Sequence, residues 1–109
     1  MQEVEIYFSD DSELSEYEAI SKGYRNDVFI RIKHNVYHVF VYSPIRLKQD
    51  FESEMENEGY YVMDPNIVLV KEPNKTEIIS TINELFEQNY FGKIKEMSAV
   101  DINDFVRVQ

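Results

Sequence analysis

Any chemistry in this chain has to come from two histidines, twenty-one carboxylates and scattered hydroxyls, because there is no cysteine at all. His38 shares a strand face with Phe40 and Tyr42, and His34 falls in a turn. A metal site would need both to converge with acids that the sequence puts elsewhere, so the pair reads as one turn residue and one sheet-surface residue. No serine stands in a G-x-S-x-G context that would make it a nucleophile. Two carboxylates can work as acid and base in glycoside hydrolysis, but here they lie in dense exposed runs. Nothing marks a pair desolvated enough to shift its proton affinity. Asp10-Asp11-Ser12-Glu13 lacks the glycine and the spaced oxygen ligands of a calcium loop. The three glycines, Gly23, Gly59 and Gly92, are isolated and cannot form a phosphate cradle. Without cysteine there is no disulfide, no thiol nucleophile and no cysteine-type zinc site. The expectation is a protein with no catalytic residue, no cofactor and no metal: a binding protein, not an enzyme.

The acids are segregated. From Met1 to Ser21 there are seven carboxylates and no Lys or Arg, and from Gln49 to Val70 there are six more, again with no base. Six of the eleven basic residues fall between Lys22 and Lys48, and the formal net charge is -10. Charge in one-signed blocks sets up a negative field that attracts cationic partners and repels nucleic acid and anionic membrane. A solvated helix face is the ordinary account of a charge run. The second block resists that account, because Asp50, Glu52, Glu54, Glu56 and Glu58 find no lysine four residues on. Like charges at that spacing weaken a helix by a few tenths of a kcal/mol per pair, roughly. The candidate contact residues are therefore Asp10, Asp11, Glu13 and Glu16 from the first block and Asp50, Glu52, Glu54, Glu56 and Glu58 from the second. Tyr60 and Tyr61 lie beside the second block, and tyrosine is an interface residue.

The elements that must position these residues follow from periodicity. Val4, Ile6 and Phe8 alternate with polar neighbours as a half-buried strand. Residues 9 to 26 are either a helix, capped by Asp11 or Ser12 and ended at Lys22-Gly23, or an ordered acidic loop. Val28 to Lys33 and Val36 to Ser43 form a hairpin around His34-Asn35, where Asn tolerates the left-handed conformation. Pro44 stops the strand and opens a helix over residues 45 to 58, with Leu47, Phe51 and Met55 on one face and Gly59 just past its end. Tyr60 to Met63 and Ile67 to Lys71 are two further strands about an Asp64-Pro65-Asn66 turn. Ile67 to Val70 is apolar on both faces, which predicts a central strand. Asn74 and Glu77 have capping-box spacing ahead of a third helix through Ile78, Ile82, Leu85, Phe86 and Asn89, closed near Phe91-Gly92. The tail from Lys93 to Gln109 carries Ile94, Met97, Val100, Ile102, Phe105 and Val106, enough to dock as a short helix or strand. The sum is an α+β fold: an antiparallel sheet of about five strands with two or three helices packed mainly on one face.

At 109 residues, 43% of them hydrophobic and including eight Tyr and seven Phe, the chain has material for one core. Acidity alone does not make it disordered, since disorder needs low hydrophobicity as well. A single domain spanning residues 1–109 is expected. Its first residues are neither basic nor apolar, so no secretory signal is read there, and no run of about 18 apolar residues predicts a membrane span. The expected location is the cytoplasm.

A small, acidic, cysteine-free domain without a catalytic motif resembles the immunity proteins of bacterial polymorphic toxin systems. The likeness covers size, charge and the segment Tyr60–Tyr90, read as strand, Asp-Pro-Asn turn, strand and capped helix. It implies a cytoplasmic inhibitor bound one-to-one to a cationic toxin domain, often a nuclease, and carries over no residue roles. Opposite potentials would speed capture, and aromatic anchors would slow release. Other functions compatible with the sequence are a nucleic-acid mimic acting on a DNA- or RNA-binding protein, and a structural or regulatory subunit, monomeric or homodimeric, whose tail around Ile102 and Phe105 packs on a partner. Nucleic acid and membrane are not expected ligands.

Overall fold

Val4, Ile6 and Phe8 alternate with Glu5 and Tyr7, and they form strand β1 (Val4–Phe8) with the apolar residues buried on one side. The computed structural model describes residues 3–94 and 101–109. Along the chain β1 is followed by α1 (Glu13–Lys22), β2 (Tyr24–Ile32), β3 (Asn35–Tyr42), α2 (Pro44–Glu58), β4 (Ile67–Leu69) and α3 (Lys75–Glu87). A 3₁₀ turn (Tyr90–Gly92) and β5 (Val106–Arg107) complete the described residues. The sheet order is β4-β3-β2-β1-β5. The fold is α+β as expected, but its sheet is mixed, because β4 runs parallel to β3.

Segment 9 to 26 resolves as a helix. The Ser12 side chain accepts from Ser15 N at 3.1 Å, and Gly23 closes α1 at φ 80. A side chain at Gly23 would meet Arg46 Cβ at 2.8 Å and Ser43 Oγ at 2.9 Å, so glycine is required there for backbone and space alike. The hairpin is present with its turn one residue earlier than expected. Ile32 faces Asn35, Lys33 and His34 form the loop, and Lys33 takes the left-handed conformation at φ 58. Either register keeps apolar residues opposite one another, so alternation does not distinguish them.

Two expectations fail together at β4. Residues 60–63 are not a strand, and Ile67–Leu69 sits at the sheet edge, not at its centre. Helix α2 returns the chain in the direction of β3, a β-α-β crossover that yields a parallel pair. Phe40 N donates to Asn66 O at 3.1 Å and Val70 N to Tyr42 O at 2.9 Å. The two apolar faces of β4 have separate causes. Val68 faces the core, while Leu69 faces α2 across a groove. The fifth strand is instead the tail, with Phe8 opposite Val106 and Tyr7 opposite Arg107.

The main core joins Val4, Ile6, Phe8, Val28, Ile30, Tyr37, Val39, Val41 and Val68 to Ile78 and Ile82 of α3 and to Phe91. Helix α1 lies at the start of α3, where the Glu16 carboxylate accepts from Lys75 N at 3.1 and 3.0 Å. On the opposite face Tyr7 and Phe29 are covered by Ile102 and Phe105. That face also carries α2, so the helices divide between the faces and do not gather on one. The tail residues Met97 and Val100 lie outside the described residues.

Candidate functional site

Asp10, Asp11 and Glu16 of the first acidic block are spent on the fold. Asp10 accepts from Ser12 N at 2.9 Å and Ser15 Oγ at 2.6 Å. The Ser15 hydroxyl, with Ser12 and the Arg25 charge, holds the Asp10 carboxyl below the usual range. Asp11 pairs with Lys75 Nζ at 2.8 Å. Glu16 receives the α3 N-terminus and lies 4.0 Å from Arg25. Glu13 is exposed in the first turn of α1, where a carboxylate complements the helix dipole. Arg25 is the buried cation beneath this group. Its guanidinium stacks 3.9 Å over the Phe8 ring, its Nε lies 2.8 Å from Asp27, and it donates to the Asp10 carbonyl. Glu5, a strand acid, is likewise engaged: the Tyr7 hydroxyl and the Arg31 guanidinium donate to it and lower its pKa.

The second block has a different fate. Helix α2 is capped by Ser43, whose side chain accepts from Arg46 N at 3.2 Å, begins with Pro44 and ends at Gly59 in the left-handed conformation. Yet none of its fifteen residues is buried. Arg46 ties it to the rest of the chain, donating to Lys22 O at 3.0 Å and lying 4.6 Å over the Tyr24 ring, and pairs within the helix with Asp50 at 2.9 Å. Glu52 sits 3.8 Å from Lys48, both well exposed. Among the described residues no Lys, Arg or His lies within 4.0 Å of Glu54, Glu56, Glu58 or Asp64.

The chain after α2 adds apolar surface to this charge. Tyr60 is 61% exposed, Val62 77% and Met63 54%, and on α2 Phe51 and Met55 are also exposed. Among the described residues, seven of the eleven exposed large hydrophobic side chains lie between Ile45 and Leu69. Two adjoining hollows result, sharing Tyr61. One, about 400 Å³, is lined by Tyr42, Asp50, Glu54, Tyr60, Tyr61, Val62 and Asp64. The other, about 310 Å³, is an apolar groove of Pro44, Leu47, Phe51, Tyr61, Met63 and Leu69 with Lys48 at its edge. Tyr61 stands edge-on to Phe51 at 6.0 Å between centroids. Tyr42 is buried at the floor of the acidic hollow. Loss of solvent, then the charge of Asp64, pushes its pKa up to about 12. Tyr61 is raised by burial and by the charges of Asp50, Asp64 and Glu54.

The eleven candidate residues thus fall into two groups that the fold does not merge. Asp10, Asp11, Glu13 and Glu16 surround α1. Asp50 to Glu58 with Tyr60 and Tyr61 surround the two hollows, of which Asp50, Glu54, Tyr60 and Tyr61 line the acidic one. Sequence reasoning missed Tyr42, Val62, Met63, Asp64 and Leu69. Their signal was the length of chain between Tyr42 and Ile67, which allows a crossover and hence a parallel β4 facing α2.

His38 stacks between Phe29 and Phe40, at 4.3 and 4.2 Å, with Nε2 2.5 Å from Asn26 O, while His34 is exposed in the turn. Among the described residues no three His, Asp or Glu side chains are arranged to hold a metal ion, and no helix is long and apolar enough to cross a membrane. No protein-family model matches the chain, and no curated protein or solved structure matches it significantly.

Proposed function

We propose that the chain is a non-catalytic binding protein that recognises a cationic protein through α2 and the loop after it, as an immunity protein neutralises a toxin domain. One observation carries this reading. A fifteen-residue helix with no buried residue presents unpaired carboxylates beside exposed aromatic and aliphatic side chains. A large exposed apolar patch with a polar rim is unusual on a protein that acts alone. The charges would steer association, toward ~10⁸–10⁹ M⁻¹s⁻¹ at low salt, and the apolar anchors would slow dissociation. An immunity role implies a cytoplasmic protein bound one-to-one to a basic toxin domain.

The apolar side chains among the carboxylates favour this over nucleic-acid mimicry, in which carboxylates alone would stand in for phosphates. Self-association through the same face is opposed by like charge, and Ile102 and Phe105 already pack on Tyr7 and Phe29 within the chain. The test is affinity purification from the native host in low salt, then association kinetics with whatever basic protein co-elutes. Charge reversal at Glu52, Glu54 and Glu56 is expected to slow association roughly tenfold or more with the circular dichroism spectrum unchanged. Recovery of no basic partner, or association unaffected by the reversals, would overturn the reading.

A further inference from the structure

The two hollows beside α2 differ in chemistry but share a wall. In the first, Tyr42, Tyr60 and Tyr61 line the hollow together with Glu54 and Asp64, for which no described cation lies within 4.0 Å. Asp50 lines it too, already paired with Arg46. Aromatic faces and carboxylates both favour a cation, and a guanidinium or ammonium between them gains cation–π and charge-assisted contacts together. The second hollow, walled by Leu47, Phe51, Met63 and Leu69, has almost no polar surface and favours an aliphatic or aromatic side chain. Tyr61 belongs to both, so the two are within reach of neighbouring side chains on one short segment.

We infer that this composite site receives a segment of the partner in which an Arg or Lys enters the Tyr42–Tyr60–Tyr61–Asp64 hollow and an adjacent apolar side chain fills the groove between Phe51 and Leu69. The carboxylates of the adjoining hollow are what commit the composite site to this occupant. A neutral or acidic segment that filled the groove and continued past Tyr61 would meet Glu54 and Asp64 with no charge to offer them, and would have only Lys48 at the groove's edge to pair with. The assignment rests on the reading of the chain as a binder of a basic protein and adds where the partner's basic side chain goes.

The test is an ¹⁵N–¹H NMR titration of the full chain with three probes: the peptide Ac-Arg-Leu-Arg-Leu-NH₂, its acidic counterpart Ac-Glu-Leu-Glu-Leu-NH₂, and argininamide. The basic peptide is expected to give saturable shifts confined to Tyr42, Phe51, Tyr60 to Asp64 and Leu69. Argininamide should bind more weakly at the same tyrosines, and the acidic peptide should not bind. The double variant Glu54→Gln, Asp64→Asn keeps side-chain shape and is expected to weaken both basic probes roughly three- to tenfold. Met63→Ser should weaken the peptide and leave argininamide unchanged. Shifts spread without saturation over Glu13, Glu18, Glu84 and Glu87 as well would reduce the effect to counterion condensation and overturn the site. Equal binding of the acidic peptide would overturn it too. The two proposals fail separately. A co-purified basic protein indifferent to Met63→Ser and to the double variant removes this site and leaves the binding function. Peptide binding without any basic partner in the host does the reverse.

Discussion

The Tyr42 hydroxyl is buried at the floor of the acidic hollow, 3.4 Å from Asp64 Oδ2, and its ionisation would add a charge beside two already present. Its pKa is raised from 10.0 to about 12, first by loss of solvent and then by Asp64, Tyr61 and Asp50. In the unfolded chain the group ionises near its ordinary value, so between these two pH values the folded state holds a proton that the unfolded state has released. Stability is therefore fully present below pH 10 and falls as pH rises toward 12. Each unit is worth about 1.4 kcal/mol, giving a loss of roughly 2–3 kcal/mol from this residue. Tyr42→Phe is expected to flatten this alkaline limb in urea denaturation while changing neutral stability by ~1 kcal/mol or less, because the hydrogen bond it removes is long. An alkaline limb as steep as that of the parent would show that Tyr42 is not the sensitive group. Asp10 and Glu5 have the opposite sign. Both are depressed by hydrogen bonds and by neighbouring guanidinium groups, and both contributions vanish as pH falls through their folded values.

At the scale of the element, α2 is charged against its own stability. It has no acid in its first turn and no base in its last, where Glu56 and Glu58 face the negative end of the helix dipole. Replacing both by lysine would complement the dipole and create Glu52–Lys and Glu54–Lys pairs at the favourable i,i+4 spacing. The double variant Glu56→Lys, Glu58→Lys is expected to strengthen α2 by roughly 0.5–1.5 kcal/mol in total. Amide hydrogen exchange along the helix should slow accordingly, and association with the basic partner should slow as well. Faster exchange, or unchanged association, would remove the case that this helix trades stability for binding. The same helix shows where sequence is legible. Pro44, the Leu47–Phe51–Met55 stripe and Gly59 fix its ends and its apolar face through local geometry alone. What that face covers is a non-local matter, settled by the parallel pairing of β4 with β3. Tyr60 to Met63 has strand composition, but its side chains find the hollows instead of a ladder. The acids of the first block look as exposed as those of the second in sequence, because the cations that engage them are remote: Lys75 lies 64 residues from Asp11, and Arg25 lies 15 from Asp10.

Charge also divides the whole molecule. Around the sheet, Arg25, Arg31, Lys75 and Arg107 answer Asp27, Glu16, Glu5 and Asp11. The densest run of acids lies in α2 and its loop, where six carboxylates meet only Arg46 and Lys48. The radius of gyration, 14.3 Å, exceeds the ~13 Å typical of this length, and the extents of 47 × 31 × 25 Å describe an elongated body. Added salt should then act in two directions. Raising NaCl from about 10 mM to about 150 mM shortens the screening length from roughly 30 to 8 Å. That relieves repulsion among Asp50, Glu52, Glu54, Glu56 and Glu58, while the buried Arg25 contacts are screened far less. The Tm of the free chain is expected to rise by a few degrees, since ~1 kcal/mol moves a domain of this size by roughly 4–8 °C. Over the same range the association rate with a basic partner should fall by an order of magnitude or more. A Tm that falls with salt would mean that attraction between matched charges outweighs repulsion, and the unbalanced face would lose its claim to be a steering surface.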